Sequence, residues 1–161
     1  MTKIAFIGGG AMGEAMVSAI LDAKVATARS VSISDVSQAR RETLNRTYKV
    51  KTTDDSSIAI SGADAVVLAV KPQNLKDAIA GLRGKLQAEQ LVLSIVAGAR
   101  LDDLAAGLKH RAISRAMPNM PAKIRRGITV WTATPEVGEQ QRGLARTILA
   151  AMGKEIYVAE E

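Results

Sequence analysis

The chain has 161 residues, a formal net charge of +6 and an apolar fraction of 47%. That fraction predicts a packed interior and excludes wholesale disorder. The absence of cysteine excludes disulfides and thiolate metal ligands. No apolar run approaches the roughly 20 residues of a membrane span, and the first residues lack the pattern of a signal peptide. We therefore expect a cytoplasmic protein that does not bind a membrane.

The basic residues are spread along the chain, with one local cluster over 110–126. Aromatic residues make up only 2% of the sequence, so the stacking platforms typical of single-strand nucleic-acid binding are scarce. A solvated basic face and a small anionic ligand both remain compatible with this charge. We expect a small-molecule partner and no nucleic acid.

The first predicted elements are a strand over 2–7 and a helix over 11–23. Between them lies the glycine pattern Gly8-x-Gly10-x-x-Gly13. A strand before this pattern and a helix after it indicate a dinucleotide site. In such a site, main-chain N–H groups meet a pyrophosphate at the positive end of the helix.

Apolar runs and turns alternate along the rest of the chain. The further predicted strands cover 31–34, 50–52, 65–70, 91–95, 112–116, 128–132 and 155–158, and the predicted helices cover about 38–46, 55–61, 73–83, 101–108 and 134–152. Residues 65–70 are continuously apolar, as in a strand covered on both faces. The alternation predicts one α/β domain over 1–161, a doubly wound, mainly parallel Rossmann-type sheet with helices on both faces.

Ligands of such a sheet bind outside the carboxyl ends of its strands, so the residues after each strand are candidates for the site. Each predicted end carries glycine, proline or a polar residue. These candidates are Gly8 to Gly13, Ser34 with Asp35, Lys71 with Pro72, Ala97 with Gly98, and 117–121. Their convergence on one rim is stronger support for a site than any single motif.

Asp35 follows Gly13 at about the 20-residue spacing of the acid that binds an adenosine ribose. A carboxylate there favours a free 2′-hydroxyl and therefore NAD. Arg40 and Arg41 begin the next helix and are candidates for a 2′-phosphate, which favours NADP. Asp35 and Ser37 are also candidate N-caps of that helix. The cofactor is therefore NADPH or NADH, without a choice between them.

Three further polar residues have a structural alternative. Lys71 is a candidate for a nicotinamide ribose or a phosphate, and the alternative is a solvated lysine. Asn119, between two prolines, offers an amide to the nicotinamide or to a substrate carboxylate, and the alternative is a turn. His110 is expected to be a solvated helix cap. No catalytic residue and no metal ligand is assigned, so the chemistry is expected to come from the cofactor.

Residues 6–13 (FIGGGAMG), 69–73 (AVKPQ), 94–98 (SIVAG) and 115–121 (RAMPNMP) together resemble pyrroline-5-carboxylate reductases. The resemblance covers essentially the whole chain. It implies NADPH- or NADH-dependent reduction of 1-pyrroline-5-carboxylate to L-proline, the last step of proline biosynthesis. Two alternatives stay open: a non-catalytic dinucleotide-binding module, and a different NAD(P)- or F420-linked reductase on the same scaffold.

The resemblance also implies the site residues. Nucleotide contacts fall at Ile7, Gly8, Gly9, Gly10, Ala11 and Met12, adenosine-side contacts at Ser34, Asp35 and Ser56, nicotinamide-side contacts at Ala69, Val70, Lys71, Pro72, Val96, Ala97 and Gly98, and a substrate-side loop at Asn119. Many members have asparagine in place of Ser56.

Members of that family continue into a helical domain that forms homo-oligomers and completes the substrate pocket. We expect that domain to lie outside the 161 residues of this chain. We therefore expect the chain to bind the cofactor and to show little or no turnover.

Overall fold

A computed structural model of the chain describes residues 2–119 and 127–159. Within them, eight strands form one sheet in the order β3-β2-β1-β4-β5-β6-β7-β8. The strands are β1 (Ile4–Ile7), β2 (Val31–Ser34), β3 (Lys51–Thr53), β4 (Ala65–Leu68), β5 (Leu91–Ser94), β6 (Ile113–Pro118), β7 (Gly127–Ala133) and β8 (Gly153–Tyr157). The helices are α1 (Ala11–Asp22), α2 (Gln38–Tyr48), α3 (Ser56–Ile60), α4 (Leu75–Leu82), α5 (Leu101–Leu108) and α6 (Glu139–Ala150).

The sheet is mainly parallel, which confirms the predicted fold class. Strands β1 to β6 run in one direction, β7 is antiparallel to β6, and β8 is parallel to β7. The sequence pattern did not indicate this reversal. Its cause is the short connection between Pro118 and Gly127, because a parallel neighbour needs a crossover of about a dozen residues or more.

Side chains alternate between the two faces of the sheet, as the two-residue period of a strand requires. Ile4 and Phe6 of β1 pack in the cluster that includes residues of α1, α2 and α6. Ala5 and Ile7 pack in the cluster that includes residues of α3, α4 and α5. Strand β1 is therefore covered by an apolar layer of packed side chains on each face.

The last predicted helix begins later than its sequence pattern suggests. Thr134 does not start it, because its hydroxyl donates to the carbonyl oxygen of Arg111 at 2.6 Å. The helix α6 begins at Glu139 after the N-cap Gly138, whose N–H donates to the side-chain oxygen of Gln141 at 3.1 Å. Because the Thr134 hydroxyl is bound to a distant segment of the chain, it is not available to cap the helix.

The prediction that His110 is solvated is wrong. Its side chain is buried, and Nε2 lies 2.6 Å from the carbonyl oxygen of Gln90. Lys109 ends α5 in the left-handed conformation, with a φ of 53°, and this turn directs His110 inward.

Among the described residues, none of the helices has the length and apolar character needed to cross a bilayer.

Candidate functional site

The carboxyl ends of four neighbouring strands form one rim of the sheet. The register aligns Ile7 of β1 with Ser34 of β2 and with Leu68 of β4. Leu68 is in turn aligned with Ser94 of β5. The segments that follow these strands, which the sequence singled out separately, are therefore adjacent in the fold.

The glycine turn is fixed tightly between β2 and β4. Gly8 has a φ of +100°, and a Cβ there would lie 2.8 Å from the carbonyl oxygen of Ala69. Its N–H donates to the carbonyl oxygen of Ser34 at 2.8 Å. A Cβ on Gly13 would lie 2.8 Å from the carbonyl oxygen of Gly8. Both positions therefore require glycine for packing, independently of any ligand.

Gly10 differs from the other two glycines of the motif, because no heavy atom lies within 4 Å of the Cβ position. It is the N-cap of α1 and receives no side-chain cap. Within the described residues, no protein group accepts a hydrogen bond from the N–H of Gly10, Ala11 or Met12. Open space, free donors and the positive end of a 12-residue helix together suit an anionic phosphate.

Asp35 connects this turn to the next helix. Its Oδ2 accepts from the Gly9 N–H at 2.8 Å, and its Oδ1 accepts from the Ser37 N–H at 2.9 Å. Gly9 is therefore not a free donor, unlike the three residues after it. Ser37, not Asp35, is the N-cap of α2, since its Oγ accepts from the Arg40 N–H at 3.2 Å. Beside Asp35, Val36 is 94% exposed.

Both arginines at the start of α2 already have partners in the protein. Arg40 donates through Nε to the carbonyl oxygen of Gly9 and through Nη2 to the carboxylate of Glu14. Arg41 donates through Nη1 to the carbonyl oxygen of Asp35 at 2.8 Å. The cations proposed for a 2′-phosphate therefore lie near the rim but are engaged locally.

Glu14 and Tyr48, which the sequence patterns did not indicate, complete this arrangement. The Tyr48 hydroxyl donates to Oε2 of Glu14 at 2.7 Å. This hydrogen bond, together with Arg40, lowers the pKa of Glu14. Burial and the same hydrogen bond raise the pKa of Tyr48 to about 12. An acidic residue in the first turn of α1 is visible in the sequence, but its partners lie too far along the chain to be inferred.

The nicotinamide-side candidates follow β4 and β5. Lys71 is exposed, and its carbonyl oxygen accepts from the Asn74 N–H at 2.9 Å in a short turn that Pro72 begins. After β5, the Val96 N–H donates to Oγ of Ser94 at 3.2 Å, and Gly98 has a φ of +79°. These turns keep Lys71 and Gly98 at the same rim as Gly10.

Two other predicted site residues, Ser56 and Asn119, lie beside other parts of the protein. Ser56 begins α3, and its Oγ lies 3.3 Å from the Cβ position of Gly81 in α4, so it faces a helix. Asn119 is exposed, and its Oδ1 lies 3.4 Å from the amide nitrogen of Ile128. The rest of the predicted substrate-side loop, 120–126, lies outside the described residues.

A separate cavity of about 410 Å³ lies beside α3 and includes Lys3, Ser32, Lys51 and Thr53 in its lining. It contains none of the candidate residues of the rim. The free amides at Gly10 to Met12, and not this cavity, therefore locate the site.

The fold is that of a Rossmann-type domain, and the rim is its candidate nucleotide site. This chain belongs to the family described as "NADP oxidoreductase coenzyme F420-dependent", whose model matches residues 3–98.

Relatives that match nearly the whole chain indicate a more specific resemblance. A pyrroline-5-carboxylate reductase of Synechocystis is 35% identical over 98% of this chain and 59% of its own length. One of Vibrio alginolyticus is 36% identical over 99% of this chain and 58% of its own length. The resemblance predicted from the motifs is confirmed. The chain spans about three fifths of the length of these relatives.

Solved structures show the same similarity. The structure of a pyrroline-5-carboxylate reductase from Coxiella burnetii has a TM-score of 0.88 and 31% identity, covering 99% of this chain and 60% of that one. A Plasmodium falciparum pyrroline carboxylate reductase with NADP bound has a TM-score of 0.84 and covers 98% of this chain and 57% of that one. At 19% identity, this second match shows the fold alone.

Proposed function

We propose that this chain is the dinucleotide-binding part of a pyrroline-5-carboxylate reductase. It would hold NADPH or NADH while the C=N bond of 1-pyrroline-5-carboxylate is reduced to give L-proline. One observation carries the cofactor site: at the start of α1 the N–H groups of Gly10, Ala11 and Met12 have no acceptor among the described residues, and the space beside Gly10 is open. The similarity to reductases over nearly the whole chain carries the choice of reaction.

The described residues fit a dinucleotide laid across the rim. The free amides after Gly9 would hold the pyrophosphate. The Asp35 carboxylate would accept hydrogen bonds from the adenosine ribose, and the exposed Val36 offers an apolar contact for the adenine. The segments 69–72 and 96–98 would lie on the nicotinamide side. When bound, the reduced nicotinamide supplies the hydride for the imine carbon.

The chain's own part in the reaction is binding and orientation. The rigid turn around Gly8 fixes the free amides relative to the β4 and β5 ends, so that one bound molecule is held at both of its halves. Asn119 is our candidate for the substrate side. Because the relatives are longer, we propose that residues beyond those of this chain complete the substrate pocket. The cytoplasmic location and the homo-oligomeric whole protein remain predictions.

The test has two stages. The purified chain is titrated with NADPH and with NADH, using the fluorescence of the cofactor. The chain and a fusion to the helical domain of a relative are then assayed for imine-dependent oxidation of the cofactor. Saturable binding by both proteins, with reduction by the fusion only, supports the proposal.

Each other outcome contradicts a distinct part of it. If the chain bound neither cofactor, the proposed nucleotide site would be refuted. Robust proline formation by the chain without a fused domain would overturn the claim that residues beyond this chain complete the substrate pocket. Binding without reduction in a folded fusion would favour the non-catalytic module.

A further inference from the structure

The adenosine end of the proposed site carries charges of both signs. Asp35 lies after β2, where the ribose 2′ group of a dinucleotide is held in this fold. A 2′-phosphate there would face the carboxylate and would need a compensating arginine. Arg40 and Arg41, which lie just after Asp35 in α2, are the candidate partners of such a phosphate.

Arg40 is not available in this arrangement. Its guanidinium donates through Nε to the carbonyl oxygen of Gly9 and through Nη2 to Glu14. Its side chain is only 30% exposed, and the bond to Gly9 fixes it against the glycine turn. These bonds use two of the five N–H donors of the guanidinium and fix its position, so a 2′-phosphate could not draw Arg40 towards the ribose without breaking them.

Glu14 is itself held in place. Its second oxygen accepts from the Tyr48 hydroxyl at 2.7 Å, and its side chain is 31% exposed. Removing Arg40 would leave this carboxylate partly buried without its cation, which is unfavourable. The lowered pKa of Glu14 keeps it charged at neutral pH.

Arg41 is the second arginine at the start of α2. One of its N–H groups donates to the carbonyl oxygen of Asp35 at 2.8 Å. This bond holds the Arg41 side chain against the backbone that follows β2. Its contribution is the same in every variant described below, because none of them changes Arg41 or Asp35.

We infer that Glu14 is a specificity-determining residue, which disfavours 2′-phosphorylated nucleotides by holding Arg40 away from the adenosine ribose. The inference rests on the proposed function, since it concerns which dinucleotide the same rim accepts. The site would therefore prefer NADH to NADPH.

The experiment compares two nucleotides that differ only in the 2′-phosphate. Adenosine 2′,5′-bisphosphate and 5′-AMP are titrated into the wild-type chain and into Glu14→Gln by calorimetry at one fixed ionic strength. Glutamine keeps an acceptor for Tyr48 and removes the charge that holds Arg40. We expect the affinity for the bisphosphate, relative to 5′-AMP, to rise about tenfold, as for one gained charge-assisted hydrogen bond.

The ratio of the two affinities separates this effect from a general one. Loss of a negative charge near the start of α1 strengthens the binding of both 5′-phosphates similarly, and that part cancels in the ratio. The direct effect of the same charge on the 2′-phosphate is measured by comparing the double variant below with the single Arg40→Ala variant. Tyr48→Phe is the matched control, because it removes the hydroxyl but keeps the ion pair. Its ratio should change less than about twofold. In the double variant Glu14→Gln, Arg40→Ala, the gain should disappear.

A single Arg40→Ala variant tests the same point without altering Glu14. Because Arg40 is engaged in the wild-type chain, its loss should change the ratio less than about threefold. A large loss of bisphosphate affinity in this variant would overturn the inference, as would an unchanged ratio in a folded Glu14→Gln. If neither nucleotide binds the wild-type chain, the cofactor site itself is wrong and the inference with it. If both bind and only the ratio disagrees, the proposed function stands.

Discussion

Gly10→Ala should weaken cofactor binding strongly while leaving the fold intact. The φ of Gly10 is −73°, which any L-residue adopts, and the added Cβ would meet no heavy atom within 4 Å. Glycine is preferred over alanine at an N-cap, but alanine lowers the entropy of the unfolded chain, and the two effects nearly offset. We expect the free energy of unfolding to change by less than about 0.5 kcal/mol.

The cost to binding comes from the space that the methyl group takes. A phosphate oxygen must come within about 3 Å of the free N–H groups, and the Cβ of residue 10 would stand beside that path. Loss of one hydrogen bond to a charged group costs about 1.5–3 kcal/mol. The dissociation constant of NADH or NADPH should therefore rise by about 10- to 150-fold.

The assay pairs cofactor-fluorescence titration with urea unfolding, and Gly13→Ala is the matched control. A Cβ at Gly13 would lie 2.8 Å from the carbonyl oxygen of Gly8, which is fixed in the turn. That overpacking should cost about 1–3 kcal/mol of stability. The assignment of Gly10 would be refuted if Gly10→Ala bound the cofactor with wild-type affinity, or if its stability fell as far as that of Gly13→Ala.

Other predictions concern stability and pH. Gln90→Leu should cost about 2–4 kcal/mol in urea unfolding, because the buried amide of Gln90 donates to two backbone carbonyl oxygens, at 2.7 and 2.9 Å. Trp131→Phe should cost about 1–2 kcal/mol by the same measurement, since it removes the N–H donated to Glu155 at 2.6 Å, and an unchanged stability would contradict that account. The pKa of Tyr48 is raised from 10.0 to about 12, so its stabilisation is present below pH 10 and is lost as the pH rises towards 12. Tyr48→Phe should therefore flatten alkaline unfolding in that window. The pKa of Glu14 is lowered from 4.5, so its stabilisation is present above pH 4.5 and is lost on further acidification, and Glu14→Gln should lose less stability there than the wild-type chain.

The elements that were predicted well are those with local causes. The strand before Gly8, the helix from Ala11 and the helix Leu101–Leu108 follow from apolar spacing and turn residues within a few positions. The start of α6 was not predicted, because Thr134 binds the carbonyl oxygen of Arg111. The burial of His110 was not predicted either, because its partner Gln90 lies on another segment.

The same division applies to the candidate site. The glycine pattern and the spacing to Asp35 indicated a nucleotide at the rim, and the four resembling segments indicated the kind of reductase. The sequence offered Asp35 as an N-cap or a ribose ligand and did not separate the two. The structure gives the N-cap to Ser37 and aims one oxygen of Asp35 at the Gly9 N–H.

Short-range patterns in the sequence were enough for the element types, the rim and the family, because helix, strand and turn preferences act over a few residues. The hydrogen-bond partners of Arg40 and Glu14 could not be inferred from such patterns. Glu14 meets Arg40 across 26 positions and Tyr48 across 34. Such contacts exist only because β2 pairs with β1 and brings α2 beside α1, so their geometry comes from the packed fold.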